Sequence, residues 1–349
     1  MSTIQINARN RAYQFGANEG QRLLYAGLAA GLQLPYECAT GTCGTCKANV
    51  TAGEVIDLWP QAPGRKNLKK PGDILMCQCE ARGALSLDVG NFVYAMDPGA
   101  CLPQSRRGVL GNVKLLTHDV VAFSVTLDAA MDFHAGQYVT VRLPGIEGYR
   151  AYSMVNFKRQ ARRLDFVVKK KPGGAASDWL FAGGTGVEGR EIDVYGPLGA
   201  ATFAPGTAKN LLLIAGGSGI AGMMAILSRA CDEHYFAQYK GHVYFGVRSM
   251  RDAFYLDELA AFRAGFADKL QVTIALSDED VPADAVQRYP QLGFERGFVH
   301  EVVRRQLKDK YQNMRAFVAG PPPAVDAALR LLLLEAKLTA DNIRYDKFS

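Results

Sequence analysis

A chain of 349 residues is long enough for two or three domains at about 150 residues each. With 48% hydrophobic, 21% charged and 10% aromatic residues and no repeat or low-complexity tract, it is neither disordered nor a small disulfide-stapled module. The net charge of +6 concentrates in residues 101–206, where 13 basic face 9 acidic side chains; its runs, Arg106-Arg107 and Lys169-Lys170-Lys171, are short and lack interleaved aromatics, so solvated surface outweighs nucleic-acid binding.

The chain starts Met1-Ser2-Thr3-Ile4-Gln5, without a basic region leading into an apolar stretch, so no signal peptide and a cytoplasmic location are expected. Ile4-Gln5-Ile6 and Tyr13-Gln14-Phe15 alternate as short strands, Leu23 to Leu32 has the pattern of a helix, and Leu85 to Val89 alternates again. Five of the seven cysteines fall between residues 38 and 79. Cys38-x4-Cys43-x2-Cys46 with a distant fourth cysteine is the plant-type ligand spacing of a [2Fe–2S] cluster. Gly41 and Gly44 allow the positive φ that a loop wrapped around an anionic cluster needs, and Ala39, Thr42 and Thr45 are small enough to let the backbone N–H groups approach the sulfurs. A thioredoxin-like Cys43-x2-Cys46, structural zinc and inert buried thiols fit this spacing less well. Cys77 and Cys79 both stand near the distance expected of the fourth ligand.

Residues 104–206 show six short strands: Gly111–Leu116, Ala122–Leu127, Tyr138–Leu143, Ala151–Val155, Leu164–Lys169 and Glu191–Tyr195. Strands at turn-punctuated spacing, with little helix between them, predict a small antiparallel barrel. From residue 207 strands and helices alternate: Leu211–Ala215, a helix from Ile220 to Ala230, His242–Val247, a helix near Leu256–Phe262, Leu270–Leu276, and Ala316–Ala319 before a helix from Ala324. That is the pattern of a doubly wound, mainly parallel sheet, with ligands at the carboxyl ends of its strands. The uncharged stretch Asn210 to Ser228 approaches a membrane span in length, but its Gly216-Gly217-Ser218-Gly219 cluster divides it into strand, turn and helix.

The first 95 residues resemble a plant-type ferredoxin, whose last ligand follows a strand as Leu-x-Cys; Leu75-Met76-Cys77 matches, so the resemblance favours Cys77 beside Cys38, Cys43 and Cys46. The remainder resembles the ferredoxin–NADP reductase superfamily. Arg150-Ala151-Tyr152-Ser153 matches its R-x-Y-S motif, implying Arg150 on the flavin pyrophosphate, Tyr152 stacked on the isoalloxazine and Ser153 near N5 and O4, with Tyr152 and Ser153 as the catalytic pair. Gly174-Ala175-Ala176-Ser177 resembles the G-x-x-S segment that holds flavin phosphates at a helix N-terminus, which favours FAD over FMN. Gly136-Gln137-Tyr138 and Gly196-Pro197-Leu198-Gly199 match further family turns, and Lys169 is a further expected FAD contact. Ala215 to Gly222 is similar to the family's A-G-G-T-G-I-A-P loop, with Ser218 for Thr and Gly222 for Pro. Phe317 to Pro323 is similar to its C-G-P-P turn, with Ala319 where the family's cysteine stands. Gly216, Gly217, Ser218, Gly219, Gly246, Arg248, Gly320, Pro321 and Pro322 are thereby expected at the dinucleotide. The Gly246-x-Arg248 pattern suggests NADH, with NADPH still open. Tyr345-Asp346-Lys347-Phe348 resembles the family's ending, in which Phe348 covers the flavin; a frayed aromatic tail is the competing expectation.

The expected architecture is therefore multidomain: a β-grasp ferredoxin domain (1–97), a linker (98–104), an antiparallel six-stranded β-barrel FAD domain (105–206) and an α/β doubly wound parallel-sheet NAD domain (207–349). This order resembles the reductase components of bacterial multicomponent oxygenases, such as those serving benzoate dioxygenase, phenol hydroxylase and toluene, xylene or methane monooxygenases. The resemblance implies transfer of a hydride from NADH to FAD and then of single electrons through a [2Fe–2S] cluster to an oxygenase or hydroxylase component, or to its ferredoxin. Acceptors such as a deoxysugar dehydratase, and a redox-sensing module without turnover, stand as alternatives. A monomer without a transmembrane segment is expected, which leaves room for a membrane-bound acceptor. The five histidines form no constellation in sequence, and Cys79, Cys101 and Cys231 have no expected role.

Overall fold

The computed structural model describes residues 1–348. In the first module, β1 (Ser2–Ala8), β2 (Ala12–Ala17), β3 (Lys47–Ala52), β5 (Asp73–Leu75) and β7 (Leu85–Val89) form one sheet in the order β2-β1-β7-β3-β5, while β4 (Val55–Asp57) pairs with β6 (Cys79–Ala81). Helix α1 (Leu23–Ala29) buries Leu23 to Leu28 on this sheet. It is shorter than the expected Leu23 to Leu32, because the chain leaves the helix through Gly31 at φ 80°, where a side chain would be strained. Strands β3 to β6 lacked a clear alternation in sequence. They are short, and they flank the cysteine loop rather than a simple two-faced core.

The middle module is the expected six-stranded antiparallel barrel. Its strands are β8 (Gln104–Leu115), β9 (Val120–Met131), β10 (Tyr138–Arg142), β11 (Arg150–Ser153), β12 (Ala161–Lys169) and β13 (Glu191–Leu198), in the order β11-β10-β13-β8-β9-β12. The outer strands approach each other where Val155 N–H donates to Asp165 O at 2.8 Å. Helix α2 (Ala175–Gly183) crosses between β12 and β13.

The last module is a wholly parallel six-stranded sheet. It contains β14 (Asn210–Gly216), β15 (Gly241–Val247), β16 (Leu270–Leu276), β17 (Gly293–Arg296), β18 (Met314–Gly320) and β19 (Ile343–Lys347) in the order β17-β16-β15-β14-β18-β19, interleaved with α3 (Ile220–Asp232), α4 (Leu256–Gly265), α5 (Ala283–Arg288), α6 (Val299–Gln306) and α7 (Pro322–Arg330). The strand order reverses between β14 and β18, which opens the ligand crevice of such folds at their carboxyl ends. Asn210 to Ser228 divides into strand, turn and helix as expected, and among the described residues no helix is long and apolar enough to cross a membrane. The C-terminal tail is not frayed: β19 runs parallel to β18, and Phe348 N–H donates to Gly320 O at 3.0 Å.

The barrel shares buried surface with both neighbours. Tyr138, Tyr195 and Leu198 belong to the core of the first module, while Val120, Ala135, Val167 and Phe203 belong to that of the last. The barrel keeps a third core of its own around Phe123, Val139 and Phe166.

Candidate functional site

The cysteine loop is built by backbone geometry. Ala39, Gly41 and Gly44 adopt positive φ, and a Cβ on Gly44 would stand 2.8 Å from Gly64 O, so the loop wraps as tightly as expected. Its N–H groups turn toward sulfur: Thr40 and Cys43 donate to Cys38 Sγ and Thr45 donates to Cys43 Sγ, each at 3.4 Å. The thiols meet in two hydrogen-bonded pairs, Cys38 with Cys43 and Cys46 with Cys77. Within each pair one thiol is favoured as the anion: Cys38 is pulled down to about 4 by its partner Cys43, and Cys77 is lowered by Cys46. Two thiol pairs with N–H groups aimed at sulfur are a donor set that suits a cluster of two irons. Cys79 starts β6, is fully buried, and is held up at about 12 by that burial.

Several supports of this loop had no signal in the sequence. The turn Pro63–Asn67 lies on it, with Gly64 N–H donating to Gly41 O (2.9 Å) and Asn67 Nδ2 to Cys43 O (2.8 Å). Arg22, buried, donates to Cys77 O at 3.0 Å. Tyrosines join the loop to the barrel: Tyr25 donates to Ala39 O and stacks on Tyr195 with ring centroids 3.9 Å apart, Tyr138 donates to Glu37 O, and Tyr36 accepts from Gly199 N–H. Pairing a short polar turn or a distant tyrosine hydroxyl with a main-chain carbonyl leaves no spacing to recognise.

A cleft of about 750 Å³ opens where the three modules meet, and it brings together Cys38, Cys43, Ser153, Pro322 and Phe348 among the expected site residues. Asp346 also lines it; burial, and then the nearby Glu37, push its carboxyl up to about 7. Ser153 faces its strand partner Tyr138 across the β10–β11 ladder, and a Cβ on Gly222, in the first turn of α3, would lie 3.9 Å from Ser153 Cβ. The start of the nucleotide helix thus touches the flavin strand.

The other expected flavin residues stand away from the cleft. Arg150 and Tyr152 pair with Val141 and Val139, sharing one side of the strand as alternation requires. Tyr152 lies edge-on to Phe123 at 6.0 Å, and burial raises its hydroxyl to about 12. The Arg150 guanidinium turns back on Glu147 O and Tyr149 O. Gly174 caps α2, where Ser177 Oγ donates to Gly174 O at 2.9 Å; the first helical bond is donated by Asp178, so the N–H groups of 175, Ala176 and Ser177 leave the first turn as an anion cradle.

At the sheet reversal, the two glycine turns are in contact. A Cβ on Gly219 would stand 2.2 Å from Ala319 O, one on Gly320 (φ 146°) 2.9 Å from Gly216 O, and one on Gly216 3.2 Å from Pro321. Gly217 and Ser218 complete the turn into α3, whose N-terminus offers its N–H groups at the crevice. At Gly246, a further residue expected at the dinucleotide, a Cβ would meet Val299 at 2.8 Å, so packing against α6 also requires glycine. Lys169 and Arg248, from different modules, meet at Asp119 (3.0 and 3.6 Å), and Arg248 also reaches Asp252 at 3.3 Å. His118 joins this group at 3.8 Å from both carboxylates, a constellation the sequence did not show.

Comparison with known proteins matches three successive domains of the chain. Residues 6–82 match the model of the 2Fe-2S iron-sulfur cluster binding domain, 108–203 that of the oxidoreductase FAD-binding domain, and 213–330 that of the oxidoreductase NAD-binding domain. The chain is 34% identical to the ferredoxin–NAD(P)(+) reductase CarAd of Metapseudomonas resinovorans over 94% of this chain and 95% of that one. It is 31% identical to the ferredoxin–NAD(+) reductase component of the alkene monooxygenase system of Xanthobacter autotrophicus, over 97% and 99%. Among solved structures, the ferredoxin reductase in carbazole 1,9a-dioxygenase superposes with a TM-score of 0.79 at 30% identity, covering 99% of this chain and 98% of that one. The Amycolatopsis cytochrome P450 reductase GcoB reaches 0.81 at 26%, covering 99% of both. The chain belongs to the ferredoxin–NAD(P) reductase components of oxygenase systems, oxidoreductases that combine [2Fe–2S], FAD and NAD modules in one polypeptide.

Proposed function

We propose that this protein draws electrons from NADH and delivers them one at a time to an oxygenase or hydroxylase component, or to that component's ferredoxin, acting as a cytoplasmic monomer. The observation that carries this reading is the shared cleft, whose walls come from the cysteine loop (Cys38, Cys43), the flavin strand (Ser153) and the end of the nucleotide sheet (Pro322, Phe348). When bound, the flavin takes up a hydride's two electrons and releases them singly, and the cluster accepts one at a time. Cys38, Cys43, Cys46 and Cys77 hold the irons, and the loop N–H groups stabilise the sulfur charge. Ser153 lies between the cysteine loop and the first turn of α3, where a hydroxyl can hydrogen-bond a flat ring at its reacting edge. Tyr152, which packs edge-on to Phe123 across the strand from the cleft, would offer the flavin an aromatic neighbour, and Phe348 would cover the ring from the cleft wall. Arg150, Lys169 and the first turn of α2, with Gly174, Ala176 and Ser177, hold the pyrophosphate. The turns Gly216–Gly219 and Gly320–Pro322, beside Gly246 and Arg248, receive the dinucleotide. The three working units are residues 1–97, 105–206 and 207–349, joined by 98–104.

Arg248 already faces the carboxylates of Asp119 and Asp252, which a 2′-phosphate would have to displace, and this supports NADH over NADPH. Mixing the holoprotein with NADH tests the reading. Flavin absorbance bleaches first, then cluster absorbance, then added cytochrome c is reduced. A protein that binds NADH without these steps would be a redox sensor. A kcat/KM favouring NADPH would overturn the nucleotide assignment.

A further inference from the structure

The cysteine loop has a second exposed border that takes no part in the cleft. Thr45, Lys47, Lys66, Asn67, Lys69 and Lys70 are all exposed, and none of them lines the cleft. They nevertheless adjoin the cluster site: Lys47 follows Cys46 directly, and the 63–70 segment is bonded to the loop through Gly64 N–H to Gly41 O and Asn67 Nδ2 to Cys43 O.

In sequence this region has mixed charge, and the fold ties up most of the carboxylates, with Asp73 alone remaining among the lysines and attracting Lys47. Asp57 is bound by Arg65, and Glu54 is paired with Arg82 at 3.7 Å. Glu37 belongs to the cleft. Asp73 accepts the backbone N–H groups of Lys69 (2.9 Å) and Lys70 (3.0 Å) and a bond from Asn49 Nδ2, so it fixes the lysine-bearing turn. Among the described residues no carboxylate lies within 4.0 Å of the ammonium groups of Lys47, Lys66, Lys69 or Lys70. The Lys69 ammonium instead donates to Lys66 O at 2.9 Å. Four cations with no carboxylate at ion-pair distance thus border the cluster in a module whose charges as a whole nearly balance, with 9 basic and 8 acidic side chains in residues 1–100.

We propose that this basic rim is the docking surface for the electron acceptor, and that the acceptor is a protein presenting acidic side chains around its own redox centre. The proposal rests on the electron-transfer reading above and names the partner's chemistry. Four exposed cations bordering one loop contribute little affinity singly, but together they orient and accelerate encounter with an acidic face about 10- to 1,000-fold at low salt. Electrons then enter the cluster from the cleft side and leave beside Thr45 and Asn67, so that flavin and acceptor do not compete for one face.

The test uses the full-length holoprotein with two haem probes of opposite charge, acidic cytochrome b5 and basic cytochrome c. Wild-type reduction of cytochrome b5 under NADH should fall about tenfold as salt rises from about 0.02 to 0.2 M, and the variant K66E/K69E/K70E should lose about tenfold at low salt. The same variant should reduce cytochrome c faster than wild type. The milder K66Q/K69Q/K70Q should fall between, which keeps the test alive if the reversal disturbs folding. Salt-independent reduction of cytochrome b5, or equal rates in wild type and both variants, would overturn the proposal. Bleaching of the flavin by NADH reports separately on the electron-transfer reading and should be the same in all three proteins.

Discussion

The cysteine loop and the flavin strand prepare for their ligands in opposite ways. In the loop the four thiols already stand in pairs, and three backbone N–H groups already point at sulfur. Along the barrel, the cations expected to meet phosphate are engaged by the protein itself, Arg150 by the carbonyls of Glu147 and Tyr149, and Lys169 by Asp119. The difference follows from charge and strength. Thiolates around iron need a fixed cage, because metal–ligand bonds are short and directional. A diphosphate exchanges one set of charge-assisted hydrogen bonds for another, so its cations can hold protein partners meanwhile.

The contrast can be broken or sharpened by substitution. The largest effect is expected from Cys77→Ser, which should abolish cluster absorbance, while Cys79→Ser should retain it; the reverse pattern would reassign the fourth ligand. Gly219→Val places side-chain atoms against Ala319 O, where even a Cβ would stand at 2.2 Å. It should force the two glycine turns apart and raise KM for NADH by about 5- to 150-fold, as overpacking of about 1–3 kcal/mol implies. Ser153→Ala should slow flavin reduction by NADH about 10- to 100-fold in stopped flow while leaving cluster absorbance unchanged, since it removes one preorganised donor. Asp119→Asn frees Arg248 and Lys169 from a shared carboxylate, and should shift the ratio of kcat/KM for NADPH to that for NADH upward by a few-fold. The smallest effect is a gain. A Cβ at Gly222 meets Gly136 Cα at 3.8 Å and Ser153 Cβ at 3.9 Å, ordinary contacts, so Gly222→Ala should raise stability by about 0.5–1 kcal/mol, measured as a higher Tm.

Elements with strong periodicity were legible in the sequence. The strands around Leu213, Phe245 and Ile274, and helix α3, are mostly buried apolar runs, and the barrel strands overlap the expected ones, although β8 begins at Gln104 rather than Gly111 and β9 runs on to Met131 rather than Leu127. The cysteine spacing and the motif glycines were equally clear, since each is a local demand of the backbone. The strands β4 and β6, of three residues each, were not, because they are too short to show a period. Nor was β19, whose exposed Tyr345 and charged neighbours conceal a strand held by its ladder with β18. Side chains that act across modules were the hardest to foresee: Tyr138 reaching Glu37, Lys169 and Arg248 meeting at Asp119, and Asp346 turned into the cleft. Each depends on how the modules sit on one another.

The tyrosine joint between the first module and the barrel has a consequence for evolution. Its hydroxyls donate to main-chain oxygens: Tyr25 to Ala39 O, Tyr138 to Glu37 O and Tyr195 to Tyr25 O, the last at 2.7 Å. An acceptor that every residue carries is indifferent to side-chain identity, so position 37 can drift without loosening the joint, whereas the cysteine loop holds Ala39 small, buried and at positive φ. A barrel with the Tyr138 and Tyr195 hydroxyls can therefore receive a foreign ferredoxin module of the same backbone course that offers a ring to stack on Tyr195, and a lineage could exchange its electron outlet while keeping its flavin and nucleotide machinery intact.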